Sequence, residues 1–243
     1  MLLSYCFEAV FFSYLITAGW LAFILFKKKK KIIPVLLVIS MLGLIYSAYL
    51  EPYWVKTRYE TVNIGKLNSE IKVVLVSDWH MRPGKRASFV RSAAKKIARE
   101  QPDLILVAGD HLFYDDFEKF KKDLAALGAL VKIAPTYAVL GNHDHGIGNR
   151  GNTVHYADQS AKIAQVLEQN GIKVLIDAKE KVKIKGNEFW LVGFDEFWHW
   201  NKKPARAIEG LADDNLLKIG ISHNPDAAFT AEGKILDLVL SGH

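Results

Sequence analysis

Apolar positions along this chain fall into two kinds of pattern. The first is unbroken: residues Phe7 to Phe26 contain one charge, Glu8, and residues Ile32 to Leu50 contain none. Each run is about 20 residues, enough to cross roughly 30 Å of hydrocarbon as a helix. The second pattern starts after a polar connector with Pro52, Asn63, Gly65, Asn68 and Ser69. Short β-branched runs then alternate with helical spacing. Residues 71–76 read as a buried strand. In residues 86–100, Phe89, Val90, Ala93, Ala94, Ile97 and Ala98 make one helical face, ended by Pro102. Residues 104–108 read as a strand, 116–131 as a helix, 136–140 as a strand and 156–169 as a helix. That alternation predicts an α/β fold with parallel pairing. Closely spaced strands follow at 172–176, 181–185 and 188–194, with Lys185-Gly186-Asn187 as the turn of a hairpin in a second sheet. Strands at 218–221 and 235–240 complete the set.

The expected organisation is therefore 1–51 as two transmembrane helices (about 7–26 and 32–50), 52–70 as a connector and 71–243 as the catalytic domain. A signal peptide fits less well. No basic stretch precedes the first run, no small-residue cleavage pattern follows it, and a second span comes after. Between the runs lie Lys27 to Lys31. Short loops rich in lysine stay in the cytoplasm, so both ends of the hairpin are expected to face outward. Lys56 and Arg58 argue the other way, two against five. Tyr46, Tyr49, Tyr53 and Trp54 suit the far interface. The expected localisation is a membrane, with the catalytic domain on its extracytoplasmic face.

Charge and cysteine content narrow the function classes. The net charge is +6, but from Pro52 onward 27 basic residues face 24 acidic ones, only +3. That is no footprint for nucleic acid, which is not an expected partner. Cys6 is the only cysteine, which excludes an intrachain disulfide and makes a cysteine metal site or catalytic thiol untenable.

The chemistry lies in five short motifs, each after a strand: Asp78-Trp79-His80, Gly109-Asp110, Gly141-Asn142-His143-Asp144, Ser222-His223 and Gly242-His243. Singly each is weak. Asp110 could be a helix N-cap, and His223 a structural histidine. On a strand, side chains at i and i+2 point the same way, so Asp78 and His80 can reach one ion. Together the motifs offer carboxylates, imidazoles and an amide, a set suited to Mn²⁺, Fe or Zn²⁺. A carboxylate shared by two ions builds a clamp for in-line displacement at phosphorus.

In this order the motifs resemble the calcineurin-like metallophosphoesterase superfamily, over residues 71–243, in its membrane-anchored bacterial phosphodiesterase branch. The resemblance implies a four-layer αββα sandwich and two divalent metal ions (Mn, Fe or Zn). Asp78 and His80 would hold the first ion, Asp110 would bridge, and Asn142, His223 and His243 would hold the second. His143 would be catalytic, protonating the leaving oxygen or stabilising the transition state, with Asp115 or Asp116 orienting it. The implied reaction is hydrolysis of a phosphodiester, phosphomonoester or pyrophosphate by a metal-bridging hydroxide. The tether suggests a lipid or envelope-linked phosphate ester. The rival reading is a catalytically impaired scaffold of the same fold at the membrane. The family pattern also has a second histidine two positions after His243, at 245, past the last of the 243 residues. A domain incomplete at its C-terminus is expected, with a natural short form as the alternative.

Other residues carry open readings. His111, His145 and His155 lie near motifs as substrate contacts or ordinary loop histidines. Phe197-Trp198-His199-Trp200 suits a cleft wall, a lipid contact or core packing. Arg82, Lys85 and Arg86 suit phosphate contacts or a solvated helix start.

Overall fold

The computed structural model describes residues 2–114, 116–149, 151, 155–230 and 232–243, with side chains from residue 9 onward. The chain divides into two compact units, Met1–Glu60 and Thr61–His243.

The first unit is two helices, α1 (Leu2–Lys27) and α2 (Ile32–Tyr49). Their packing is that of a hairpin: the Tyr14 hydroxyl and Ser40 Oγ lie 2.6 Å apart, and the Phe11 and Tyr49 rings meet edge to face at 5.8 Å. Pro34 sits in the first turn of α2, where its missing N–H has no intrahelical partner to lose. Both helices are long and apolar enough to cross a membrane. Their large side chains, Ile16 and Trp20 among them, are exposed around the pair, a surface matched to hydrocarbon rather than water.

The second unit is two four-stranded sheets. One is wholly parallel in the order β1 (Val73–Val76), β2 (Leu104–Ala108), β3 (Thr136–Val139), β4 (Lys173–Val174). Its crossovers carry α3 (Ala87–Glu100), α4 (Phe117–Ala125) and α5 (Ser160–Gln169). The other sheet runs β5 (Ala178–Ile184), β6 (Asn187–Gly193), β7 (Leu217–Ser222), β8 (Leu238–Ser241), antiparallel only between β5 and β6.

Strand alternation builds the layers. On β2, Ile105 and Val107 face α3, α4 and α5, while Leu104, Leu106 and Ala108 face the second sheet. On β6, Phe189 and Leu191 face inward, and Val192 and Phe194, at its end, join the outer cluster. That outer cluster includes Ala207 of the short α6 (Pro204–Ile208). The result is an αββα sandwich with a thin fourth layer. All of β2 is buried on both faces, as a central parallel strand requires.

The strand expected over 235–240 starts at Leu238, after a 3₁₀ turn at Gly233–Ile235, the one over 172–176 shortens to Lys173–Val174, and the one over 181–185 begins at Ala178; three further differences have a clear physical reason. The helix expected over 116–131 is α-helical only to Ala125 and continues as a 3₁₀ turn over Ala126–Ala129. Leu124, Leu127 and Leu130 are all fully buried at a spacing of three, which a three-residue turn keeps in line. The helix expected from 156 starts at Ser160, because the preceding residues are tied to the motif loop. Tyr156 N–H donates to the Gly146 carbonyl and Gln159 N–H to that of Asp144. Asn187 is a strand residue rather than a turn residue. The turn itself is Lys185-Gly186, both at positive φ, as a two-residue hairpin loop demands. The buried Asn187 side chain clips the connector instead. Its Oδ1 accepts from Asn68 N–H at 2.7 Å, and its Nδ2 donates to the Ser69 carbonyl at 3.0 Å.

Candidate metal centre

Every motif falls at the C-terminal tip of a strand: β1, β2, β3, β7 and β8 end within two residues of their motif's first member. Parallel neighbours bring the tips side by side, and at such edges α/β sheets gather functional groups.

The tips turn sharply. Asp78, His80 and Asp110 have φ of 56°, 43° and 53°, a left-handed conformation that non-glycine residues adopt at a cost. Backbone bonds hold them: Asp78 N–H donates to the Gly109 carbonyl and His80 N–H to that of Asp110. The two glycines before the ligand-bearing turns permit close approach. A Cβ on Gly109 would stand 2.8 Å from both Gly141 N and His223 Cβ. A Cβ on Gly141 would stand 2.1 Å from Asp110 Oδ1 and 2.4 Å from Asp110 N.

Asp110 is the convergence point. Its Oδ2 lies 3.2 Å from His223 Nε2, 3.6 Å from His80 Nε2 and 3.8 Å from His143 Nε2. Its Oδ1 accepts from His143 N–H at 3.0 Å. Asp78 Oδ1 is 3.4 Å from His80 Nε2, and Asp78 Oδ2 accepts from His243 N–H at 3.2 Å. Asn142 Oδ1 lies 3.1 Å, and His243 Nδ1 3.2 Å, from His223 Nε2. The structure thus brings Asp78, His80, Asp110, Asn142, His143, His223 and His243 into one site. Two overlapping sets, His80–Asp110–His143 and Asp110–His223–His243, each present ligand atoms within 4.8 Å of one another.

Orientation is fixed behind the site. His223 Nδ1 donates to the Ala108 carbonyl at 2.7 Å, so a neutral ring aims the Nε2 lone pair inward. Asn142 Nδ2 donates to the Ile147 carbonyl at 2.8 Å, which turns Oδ1 inward. Lone pairs of an imidazole, a carboxylate and an amide oxygen then face one another in a buried space. Only a proton or a cation satisfies that arrangement, and the donor set suits a divalent metal. In the bare chain a proton takes the place. Burial opposes it, but the Asp110 carboxylate and the Ala108 carbonyl raise His223 to about 9. Burial also works against the Asp78 charge, yet His80, Ser77 and His223 hold its carboxyl well below the usual carboxylate range. At His143 burial wins over the attraction of Asp110 and lowers the ring to about 4.

His143 Nδ1 is buried with no hydrogen-bond partner among the described residues. Of the two carboxylates expected to orient it, Asp115 lies outside the described residues. Asp116 caps α4, its side chain accepting from Glu118 N–H at 3.0 Å. What holds the ring is aromatic: Tyr114 stacks on it at 3.7 Å and Phe113 at 5.1 Å, with Tyr156 stacked on Tyr114 at 3.9 Å. The sequence signal for this is Phe113-Tyr114, separated from the Gly109-Asp110 motif by His111 and Leu112.

Several other side chains find definite places. Asp144 is fully buried and holds the turn, accepting from Gly141 N–H, His111 N–H, Leu112 N–H and His111 Nδ1. His111 is therefore a buried structural partner, not a substrate contact. Arg86 pairs with Asp123 at 2.9 Å and is likewise structural. Arg82 lies over the Phe113 ring at 5.4 Å. Burial and the nearby Arg82 depress the Lys85 ammonium, against the attraction of Asp78. His155 pairs through its backbone with Ile147. The aromatic quartet splits: Phe197 packs on the outer cluster, Trp198 meets His243 edge-on at 5.0 Å, and Trp200 projects into solvent. Glu196, missed in the sequence, is fully buried, and its Oε2 has no hydrogen-bond partner among the described residues; burial raises its carboxyl.

A family model for calcineurin-like phosphoesterases matches residues 71–243. Phosphodiesterase YaeI of Escherichia coli is 30% identical over 202 residues, covering 83% of this chain and 70% of that protein. An uncharacterized metallophosphoesterase of Aquifex aeolicus is 32% identical over 207 residues, covering 81% of this chain and 72% of its own length. The zebrafish (Danio rerio) transmembrane protein with metallophosphoesterase domain is 23% identical over 218 residues, covering 85% of this chain and 47% of its own length.

Proposed function

The chain belongs to the calcineurin-like phosphoesterase family, whose members use divalent metals, and from that premise we propose that it is a membrane-tethered phosphodiesterase with a two-ion centre. The observation that supports this most is the approach of three imidazoles to one oxygen, Asp110 Oδ2, within 3.2–3.8 Å. Asp78 and His80 would hold one ion and Asn142, His223 and His243 the other, with Asp110 between. When bound, such ions neutralise phosphate charge and make water acidic enough to attack phosphorus.

The chain's own residues do the remaining work. Asp110 is pinned through Oδ1 by His143 N–H. His223 and Asn142 are oriented by the Ala108 and Ile147 carbonyls. His143 faces the centre through Nε2, where it would deliver a proton to the leaving oxygen. The Phe113 and Tyr114 rings hold its plane, and Arg82 and Lys85 would draw the phosphate anion. The diester preference follows the name of the Escherichia coli relative. A lipid or envelope-linked substrate follows from the apolar helices. The five lysines between them favour an extracytoplasmic catalytic unit.

The test uses the full chain in detergent micelles with Mn²⁺. Bis-p-nitrophenyl phosphate should be cleaved faster than the monoester, and lipid phosphodiesters in mixed micelles faster than soluble nucleotides. Faster monoester turnover overturns the diester preference. Far faster nucleotide turnover overturns the lipid substrate.

A further inference from the structure

Away from the centre, a second histidine–carboxylate cluster joins two loops. His145 follows the Gly-Asn-His-Asp motif, and Asp195 and His199 lie just beyond β6. His145 Nε2 is 2.8 Å from Asp195 Oδ1, and His199 Nδ1 is 2.9 Å from Asp195 Oδ2. The imidazoles lie face to face at 4.3 Å and 28°, both turned to one carboxylate. His145 and Asp195 are buried, and the three ligand atoms lie within 4.8 Å of one another. Donors around a tetrahedral zinc ion with bonds of about 2.0–2.1 Å stand roughly 3.3 Å apart, so small side-chain shifts would admit an ion.

We propose that His145, Asp195 and His199 form a further divalent-cation site, selective for zinc and separate from the catalytic centre. Two imidazoles and a carboxylate are a zinc donor set with one position left for water. The surroundings resemble the outer shell of such sites. Among the described residues His145 Nδ1 is buried without a hydrogen bond, and the Asp158 carboxylate (Oδ2) is 3.9 Å away. Ligating histidines ordinarily set their second nitrogen against a carboxylate. Asp195 is fixed in turn, its N–H donating to Asp177 Oδ1 at 3.0 Å. The ion would fasten the loop carrying Glu196 and Trp198 to the loop carrying Asn142 and His143.

This inference stands independently of the two-ion reading, and the experiment keeps them apart. The full chain in detergent micelles is stripped with chelator, reloaded with zinc, desalted and measured for bound metal. Wild type should hold one more zinc per chain than His199→Ala, and Asp110→Asn should still hold one. Equal content in wild type and His199→Ala overturns the site, as does an Asp110→Asn chain that holds none. A ligand swap guards against a variant that fails to fold. Cobalt-loaded His199→Cys should show a thiolate-to-cobalt charge-transfer band that wild type, whose only cysteine is Cys6, lacks. Absence of the band also overturns the proposal.

Discussion

Gly141→Ala tests the centre without replacing any proposed ligand. The added methyl would stand 2.1 Å from Asp110 Oδ1 and 2.4 Å from Asp110 N. Carbon in contact with another heavy atom prefers about 3.5 Å or more, so something must move by about 1 Å. Rotating the carboxylate relieves the first clash only. The second is with backbone, held by β2 and by the hydrogen bond that His80 N–H donates to the Asp110 carbonyl. Whichever element yields, Asp110 leaves the point where three imidazoles meet. A displacement of about 1 Å at a reacting centre costs roughly 100-fold in rate. Overpacking costs about 1–3 kcal/mol of stability, or a fall in Tm of roughly 2–12 °C for a domain this size. The assay pairs Mn²⁺-supported diester hydrolysis with bound-metal content and a thermal melt. The expected result is a folded chain with at least 100-fold lower turnover and less metal. Wild-type turnover and metal content in a folded Gly141→Ala would refute the argument that Asp110's position governs the site.

Three further outcomes are expected. His143→Ala should lower kcat about 10²–10⁴-fold, the range for a lost proton donor, with bound metal unchanged; unchanged turnover removes His143 from the mechanism. Chelator should abolish hydrolysis, and Mn²⁺ or Zn²⁺ should restore it; activity that persists in metal-free protein refutes metal dependence. Asn187→Ala leaves Asn68 N–H without its acceptor and removes the donor to the Ser69 carbonyl. It should lower unfolding stability by about 1–3 kcal/mol with turnover nearly unchanged, as read by denaturant titration and the diester assay.

The strands were legible because burial writes itself into composition. β2 is five apolar residues in a row since both its faces are covered, and α3 carries a clean amphipathic stripe because one face is solvated. Helix ends were less legible, since tertiary bonds decide them. Nothing local to residues 156–159 announces that Gly146 and Asp144 will take their N–H groups. The metal donors could be listed from motif order. Their supports could not, because these come from residues distant in sequence. Ala108 orients His223 across 115 positions, and Ile147 orients Asn142 through its backbone. Trp198 reads as one member of an aromatic quartet, and only the fold separates it from the solvent-exposed Trp200 two residues on.

Backbone strain at the strand tips explains why the donors sit on sheet ends rather than on free loops. Asp78, His80 and Asp110 each occupy left-handed φ, a conformation costing of order 1–3 kcal/mol per residue. Such turns persist only where the surroundings determine them more strongly than the strain opposes them. Here β1 and β2 are paired in register along Val73–Val76 and Leu104–Val107, and β2 is buried throughout. The sheet therefore absorbs the cost and delivers two carboxylates and an imidazole to one point. A flexible loop could carry the same residues but would relax to ordinary φ and separate them. The glycines follow from the same constraint. The tips of β2 and β3 must approach until Gly141 stands against Asp110, and a side chain there would part them. The spacing of these motifs in this chain thus records the geometry of adjacent strand ends as much as the chemistry of the donors.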